Sequence, residues 1–196
     1  MSSIDFGTKF RTKVSALEKA DLPFTYGKGC PVAIKDLALL NFLFLDFEGM
    51  VKEGNMVVNQ HIISPLSAVL KDAYAMEFPL HTAIPLDHHD FEGDDYASME
   101  ANNSSCFNHR VIAGTDNLSM HSYGLAVDIN PMMNPYLALD GNWYPRSGHA
   151  YIHRFDVSQG MLCAKHPLVE SFKEHGFLWG GEWEERPDYH HFAFAG

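Results

Sequence analysis

The chain has 196 residues, 46% hydrophobic and 20% charged, which is ordinary for a soluble globular protein and excludes a disordered, collagen-like or coiled-coil chain. Fourteen Lys and Arg against 25 Asp and Glu give a net charge of −11, which opposes binding to nucleic-acid phosphates and to anionic membranes. The length fits one domain over residues 1–196. Twelve histidines exceed ordinary usage, so a metal or acid–base site is worth seeking.

Five segments in the first half carry a secondary-structure signal. In chain order they are a short helix around 10–20, a helix or buried strand at 36–47, a short strand at 56–59, a helix at 64–75 and an extended segment at 78–85. Ser64 as N-cap and Pro65 at the first helical position support the second helix. The longest apolar run, residues 37–45, is too short to span a bilayer.

The second half is predicted to be richer in strands. In chain order it holds an acidic, turn-rich loop at 86–109, a strand at 125–129, a helix at 166–175 and strands at 176–183 and 189–194. Alternation in the first of these strands buries Val127 and directs Asp128 the other way. Gly176 suits the end of the helix. Because helices come first and strands follow, we predict an α+β fold.

The three cysteines give no sign of a disulfide framework or a thiolate zinc site. Cys30, Cys106 and Cys163 are far apart and form no CxxC pair, so we predict reduced, buried thiols, with one long-range disulfide as the alternative. A serine or cysteine hydrolase is a weaker hypothesis, because the chain has no GxSxG elbow and nothing orients His109 beside Cys106.

Side chains that bind metals or move protons concentrate near the second half's strands. His121 and Asp128 are zinc-ligand types, and Gly124 between them permits a sharp turn. His190 or His191 offers a third ligand, but on a strand only one of the two can face the metal. These residues lie in the segments 119–128 and 188–192, and a third notable segment, WGGEW at 179–183, stands between them in the chain.

Two further residues have the chemistry that peptide hydrolysis needs. Asp188 is a candidate base for the attacking water, provided that the chain bends between it and His191. Arg110 is a candidate cation for the developing oxyanion, since arginine stays charged. The run His88-His89-Asp90 is interpreted as a solvated loop rather than a ligand set.

The segments match the pattern of a known peptidase family. SMHSYGLAVD at 119–128 resembles the SxHxxGxAxD motif of the VanY-like D-Ala-D-Ala carboxypeptidases, which are zinc peptidases. WGGEW at 179–183 followed by DYHHF at 188–192 resembles the family's second motif. Asn108-His109-Arg110 resembles the arginine-bearing segment before the first motif. The similarity covers roughly residues 100–194, with weaker similarity back to about residue 35.

The resemblance implies a role for each matching residue. His121, Asp128 and His191 would bind one zinc ion. Asp188 would be the general base and Arg110 would hold the oxyanion. The family usually has no histidine at the position of His190, but the spacing from Asp188 favours His191 as the ligand. Substrate contacts are predicted at three more positions, Ser119, Tyr123 and Trp183. Ser119 would also shape the metal-binding turn, and Trp183 would support the second motif.

The resemblance also implies a fold and a function. The fold would be of the hedgehog/DD-peptidase type, with a small central antiparallel sheet flanked by helices, a metal-binding core at about 100–194 and an N-terminal extension at about 1–34. The protein would hydrolyse peptidoglycan stem peptides containing D-amino acids, at D-Ala-D-Ala or at L-Ala-D-Glu. The alternative is a non-catalytic, zinc-bearing binding module of the same fold.

Location is predicted only from the N-terminus, which shows no signal peptide. We therefore expect a cytoplasmic protein or one released by a non-classical route such as phage lysis. Removal of a leader would instead place it in the periplasm or cell wall. The expected partner is a peptidoglycan-derived peptide, with no nucleic acid and no membrane span, and the sequence predicts no oligomeric state.

Overall fold

The computed structural model describes residues 9–196, which form helices and small antiparallel sheets compatible with the α+β class. No helix within these residues has the length and apolarity that a membrane span needs. The strands are β1 (Thr12–Ala16), β2 (Leu37–Leu45), β3 (Val51–Asn59), β4 (Ala126–Asp128), β5 (Tyr136–Leu137), β6 (Trp143–Tyr144), β7 (Phe177–Trp179) and β8 (His191–Phe194). The α-helices are α1 (Ile63–Ala75), α2 (Asp95–Glu100) and α3 (Pro167–Glu174).

The first sheet has the antiparallel order β1-β2-β3 and contains the two longest strands of the described chain. The prediction that strands gather in the second half is therefore wrong. The apolar run at 36–47 forms β2 rather than a helix, with Leu40 and Phe42 directed into the core. The strand predicted at 56–59 begins earlier, at Val51, where it pairs with the end of β2. Its first residues are mostly polar and not buried, so no apolar pattern marked them as strand.

The helix predicted around residues 10–20 is wrong. Its first part is the exposed edge strand β1, in which Thr12 pairs with Phe42 and Ala16 with Ala38. The partner strand lies far along the chain, and edge strands carry few buried residues, so local periodicity gave no strand signal.

The second sheet, in the antiparallel order β4-β8-β7, carries the chemistry. Its register places Val127 opposite Phe192 and Asp128 opposite His191. Val127 and Phe192 are fully buried, and the Phe172 ring of α3 stacks on Phe192 with centroids 3.8 Å apart. The predicted alternation is thus confirmed, because neighbouring side chains on each strand point to opposite faces.

The helices differ from prediction mainly at their first residues. α1 starts at Ile63, so Ser64 is inside the helix and is not its cap. A short 3-10 turn, Gln60–Ile62, precedes α1, and the Asn59 side chain caps that turn through the amide of His61. α3 falls within its predicted range and is followed by Gly176 at φ +87°, as expected for a C-terminal glycine.

One hydrophobic core joins both sheets to α1 and α3. Helix α1 buries Leu66, Val69, Leu70 and Ala73, which recur at helical spacing and form one apolar face. That face packs against β2 and α3, and α3 packs against β7. The metal-ligand motifs are therefore attached to a shared core and not to an isolated loop.

The acidic segment predicted as a loop at 86–109 is largely ordered against the core. It contains α2, and residues 102–108 are buried. Its polar side chains bind neighbouring backbone, as when Asn103 bonds both the amide and the carbonyl of Ile84. Polar composition misled because these groups are satisfied internally. The strand predicted at 176–183 is also shorter, because β7 ends at Trp179 and a tight turn follows.

Candidate active site

Two histidines and one aspartate from three elements converge in the second sheet. His121 Nε2 lies 3.2 Å from Asp128 Oδ2 and 3.2 Å from His191 Nδ1, and His191 Nδ1 lies 3.1 Å from Asp128 Oδ1. In a tetrahedral zinc site with bonds of about 2.0–2.1 Å, two ligand atoms lie about 3.3 Å apart. The separations between these donor atoms are close to that distance. The three residues form a group that could bind a metal.

The turn carrying His121 is fixed by backbone contacts. Ser119 Oγ accepts a hydrogen bond from the His121 amide, and Gly124 ends the turn at φ +65°. A Cβ on Gly124 would lie 2.8 Å from the Asn59 amide nitrogen, which donates to the Gly124 carbonyl. Only glycine combines this conformation with so close an approach. Ser119 is buried in this turn, where it can shape the turn as predicted.

The electrostatics of the three donors favour a cation between them. The His121 Nδ1–H donates to the Cys106 carbonyl, so the Nε2 lone pair of a neutral ring faces Asp128. Burial opposes ionisation of Asp128, yet His121 and His190 hold the pKa of Asp128 well below its usual value. Burial likewise lowers the pKa of His121, but Asp128 outweighs it and raises that pKa. A buried carboxylate with imidazole nitrogens on it is a donor set suited to zinc.

Strict strand alternation predicts that His190 points away from this group, but its side chain points towards Asp128. Its Nδ1 donates to the Asn134 carbonyl at 2.7 Å, and its Nε2 lies 3.8 Å from Asp128 Oδ2 and 3.1 Å from Asp188 Oδ1. The chain bends at 189 and 190 before β8 begins at His191, so strand alternation does not apply here. His191 completes the three-residue group, and His190 contacts Asp128 from beside it.

Asp188 lies next to the metal-ligand group, as the second motif predicts. The Asp188 amide donates to the Gly180 carbonyl at 2.9 Å, and the His191 amide reaches the Asp188 carbonyl at 3.4 Å across the predicted bend. Its Oδ1 is buried, and His190 Nε2 lies 3.1 Å from it. A Cβ on Gly180 would come within 2.7 Å of the Asp188 carbonyl, so the first glycine of WGGEW permits this approach.

Arg110 is tied to the His121 turn through its backbone. Its amide donates to Ser122 Oγ, which in turn donates to the Arg110 carbonyl at 2.8 Å. Its Nε lies 3.0 Å from Asp95 Oδ2 of α2, and its side chain is about a third exposed. Arg110 also acts electrostatically to lower the pKa of His121, which places its charge near the metal ligands.

The other predicted residues lie around this centre. Trp183 is half-exposed, with its ring centroid 5.6 Å from that of His191. Tyr123 is half-buried, and its carbonyl accepts from the Asn59 side chain. All three cysteines are free, but only Cys106 is buried, so the prediction of three buried thiols is wrong. Burial, followed by Asp128, raises the pKa of Cys106 well above its usual value, so this thiol is a poor nucleophile.

Sequence reasoning missed three residues that surround the centre. Asp95 pairs with Arg110, Asn134 orients His190, and the Tyr136 ring packs on His190 with centroids 5.6 Å apart. Asn134 and Tyr136 belong to the run INPMMNPY at 129–136, directly after the first motif, which was the available signal. Asp95 gave none, because it lies in a segment with many exposed acids.

A second His–His–Asp group lies on the surface. His88 Nδ1 and His89 Nε2 each lie 3.2 Å from a carboxylate oxygen of Asp90, and the donors of all three residues cluster together. The side chain of His89 is 82% exposed and that of Asp90 55%. The sequence interpretation of this run as solvated agrees with its exposure.

Comparison with known proteins supports the motif assignment. Residues 113–194 match the family model described as D-alanyl-D-alanine carboxypeptidase. The predicted resemblance to that family is therefore confirmed over this segment. The segment contains all three residues of the possible metal-binding group. Arg110 lies just before the matched range. No curated protein and no solved structure matches the chain.

Proposed function

We propose that this protein is a zinc-dependent peptidase that hydrolyses peptidoglycan stem peptides containing D-amino acids, by D-Ala-D-Ala carboxypeptidase or L-Ala-D-Glu endopeptidase action. The supporting observation is the buried His121–Asp128–His191 group with Asp188 beside it, inside the segment that matches a peptidase family. The antiparallel sheet carrying Asp128 and His191 supports a hedgehog/DD-peptidase type of fold.

His121, Asp128 and His191 would hold the ion. Zinc, when bound, lowers the pKa of water and polarises a carbonyl. The carboxylate of Asp188 is poised to take a proton from the attacking water and to return it to the leaving amine, with His190 Nε2 beside its Oδ1. The Arg110 guanidinium can donate to the oxygen that gains negative charge.

Asp95 and Ser122 would position Arg110 for that task. The Asp95 carboxylate forms an ion pair with the guanidinium of Arg110, and Ser122 Oγ forms hydrogen bonds with both the amide and the carbonyl of Arg110. Trp183, at the rim beside His191, and Tyr123 are proposed to contact the substrate. The net charge of −11 repels acidic peptides in general, so the ion and Arg110 would supply the local positive field.

The decisive experiment combines substrate and metal analysis. Defined muropeptides are incubated with the zinc-loaded and the chelator-treated protein, and the products are identified by mass spectrometry. Zinc-dependent loss of terminal D-Ala would establish a carboxypeptidase, and cleavage between L-Ala and D-Glu an endopeptidase. Peptide binding without cleavage, with one zinc per chain, would instead establish the non-catalytic binding module.

Replacing the proposed base should separate catalysis from metal binding. For Asp188→Asn we expect kcat to fall by about 10²–10⁴, the usual contribution of general acid–base catalysis, with zinc content unchanged. Asp156→Asn, which alters an exposed aspartate, is the matched control and should retain activity. Full hydrolysis by zinc-loaded Asp188→Asn would contradict the assigned role.

A further inference from the structure

We propose that Tyr136 contacts the substrate, its hydroxyl donating a hydrogen bond to the scissile carbonyl oxygen. This inference rests on the proposed peptidase function. It adds to the site a residue outside both sequence motifs, on β5 and between them in the chain.

The backbone of Tyr136 is held directly against the proposed base. Tyr136 and Asp188 form an isolated antiparallel bridge, which joins β5 to the segment before β8. The Leu137 amide donates to the Pro187 carbonyl at 3.0 Å and strengthens this junction. A residue fixed in this way keeps its position relative to Asp188 while substrate binds.

The ring of Tyr136 is equally constrained. It meets His190 edge-on, with centroids 5.6 Å apart, and packs on Tyr144 of β6 at 5.8 Å. Packing on two sides limits the ring to few orientations, so its hydroxyl is pre-organised. His190 in turn contacts Asp188, so the ring and the base share a neighbour.

The hydroxyl of Tyr136 lies in the field of the charged groups of the centre. Asp188 and Asp95 act on it as negative charges and Arg110 as a positive one. Among residues 9–196 it has no hydrogen-bond partner. The neighbouring Tyr144 hydroxyl, by contrast, donates to Asp140 Oδ2 at 2.9 Å. The Tyr136 hydroxyl therefore has a proton available to donate, and its backbone is bridged to that of the proposed base.

The charge state of Tyr136 suits a donor. Burial, followed by Asp188 and Asp95, raises its pKa to about 12, so the phenol stays protonated at any pH at which the protein would work. A neutral phenol gives one donor, and the Arg110 guanidinium gives more. Two kinds of donor facing one oxygen form an oxyanion-binding site, where each donor contributes most in the transition state.

The test is Tyr136→Phe, which removes one oxygen and retains the ring packing. We expect kcat to fall by about 10²-fold, as for loss of one oxyanion donor, with KM changed by less than about threefold and one zinc still bound per chain. A phosphinate analogue, which mimics the tetrahedral state, should bind Tyr136→Phe more weakly by a similar factor. Tyr144→Phe, the equivalent change on the neighbouring ring, should stay within twofold of wild type.

Each other outcome would overturn the inference. Unchanged activity and phosphinate affinity would show that the hydroxyl touches no reacting atom. A reduced kcat with a shifted acid limb of the pH profile and unchanged phosphinate affinity would make Tyr136 a positioning residue for Asp188. If the wild type cleaves muropeptides and depends on Asp188, such results refute only this inference. If the wild type cleaves nothing, the proposed function itself fails.

Discussion

Two groups of two histidines and one aspartate differ in everything except their chemistry. His121, Asp128 and His191 come from a turn and two strands, separated by up to 70 residues, and their side chains are 3–12% exposed. The trio at 88–90 is consecutive in the chain, and its side chains are 36–82% exposed. Both place nitrogen and oxygen donors about 3.2 Å apart.

The difference shows that donor spacing alone does not make a metal centre. In the buried group, a backbone carbonyl orients His121 and strand pairing fixes Asp128 opposite His191. In the surface trio, His88 Nδ1 accepts from the Asp90 amide, so one lone pair is already occupied. Water also competes for exposed donors, while a buried, pre-oriented group pays no ordering cost when it binds an ion.

The largest expected effect comes from removing one donor of the buried group, with the same change in the surface trio as the control. His121→Ala should reduce zinc from one per chain to nearly none and lower hydrolysis by at least about 10³-fold, because three protein ligands are needed. His89→Ala should change neither quantity. Zinc content from plasma mass spectrometry and kcat/KM provide the two readouts. Loss of one zinc equivalent in His89→Ala would show that the surface trio is a metal site.

A smaller effect should follow from crowding the packing beneath the buried group. In Gly180→Ala the new methyl would lie 2.7 Å from the Asp188 carbonyl and 3.3 Å from His191 Cβ, so both residues must shift. We expect destabilisation of about 1–3 kcal/mol and roughly 10–10²-fold lower kcat, measured by thermal unfolding and steady-state kinetics. Gly27→Ala, whose methyl makes only an ordinary contact at 3.7 Å, is the control. Wild-type kinetics in Gly180→Ala would contradict this account.

The smallest expected effect is a pH dependence of stability that reverses with metal. In the metal-free protein the pKa of His121 is raised above its unfolded value of about 6.5. Protonated His121 therefore stabilises the fold at pH values below about 6.5, and this stabilisation is lost as the pH rises through the folded pKa. The depressed pKa of Asp128 contributes above about 3.9 and is lost as pH falls through its folded pKa. Metal-free protein should therefore lose stability as the pH rises above about 6.5.

Zinc reverses that trend because it binds neutral histidines, so the stabilisation it provides grows as pH rises. Tm measured from pH 5 to 8 with and without zinc tests this reversal. His121→Ala should flatten both curves, whereas His89→Ala should leave them unchanged. Parallel curves for the metal-free and zinc-loaded protein would contradict the assigned pairing.

The sequence predicted the buried group better than the architecture around it. His121, Asp128, Asp188 and His191 stand in motifs whose spacing is visible locally, and the structure brings them together. β1 was invisible because its partner lies about 28 residues along the chain. Pairing at that distance leaves no local pattern.

Residues that support the ligands were also beyond local pattern. Asp95 faces Arg110 because α2 packs there, and Tyr136 faces Asp188 because β5 meets the segment before β8. Neither proximity follows from spacing. His190 was misjudged because strand alternation was applied to residues that form a bend.

The contact between Asn59 and the His121 turn makes ligand binding a property of the whole described fold. Asn59 donates its amide to the Gly124 carbonyl and its side chain to the Tyr123 carbonyl, and the Phe107 amide donates to the Val57 carbonyl on the same strand. The first sheet supplies no ligand, yet it holds one in place. An ion bound in the second sheet would thus also stabilise β3 against local unfolding, so that the two sheets would unfold as one cooperative unit.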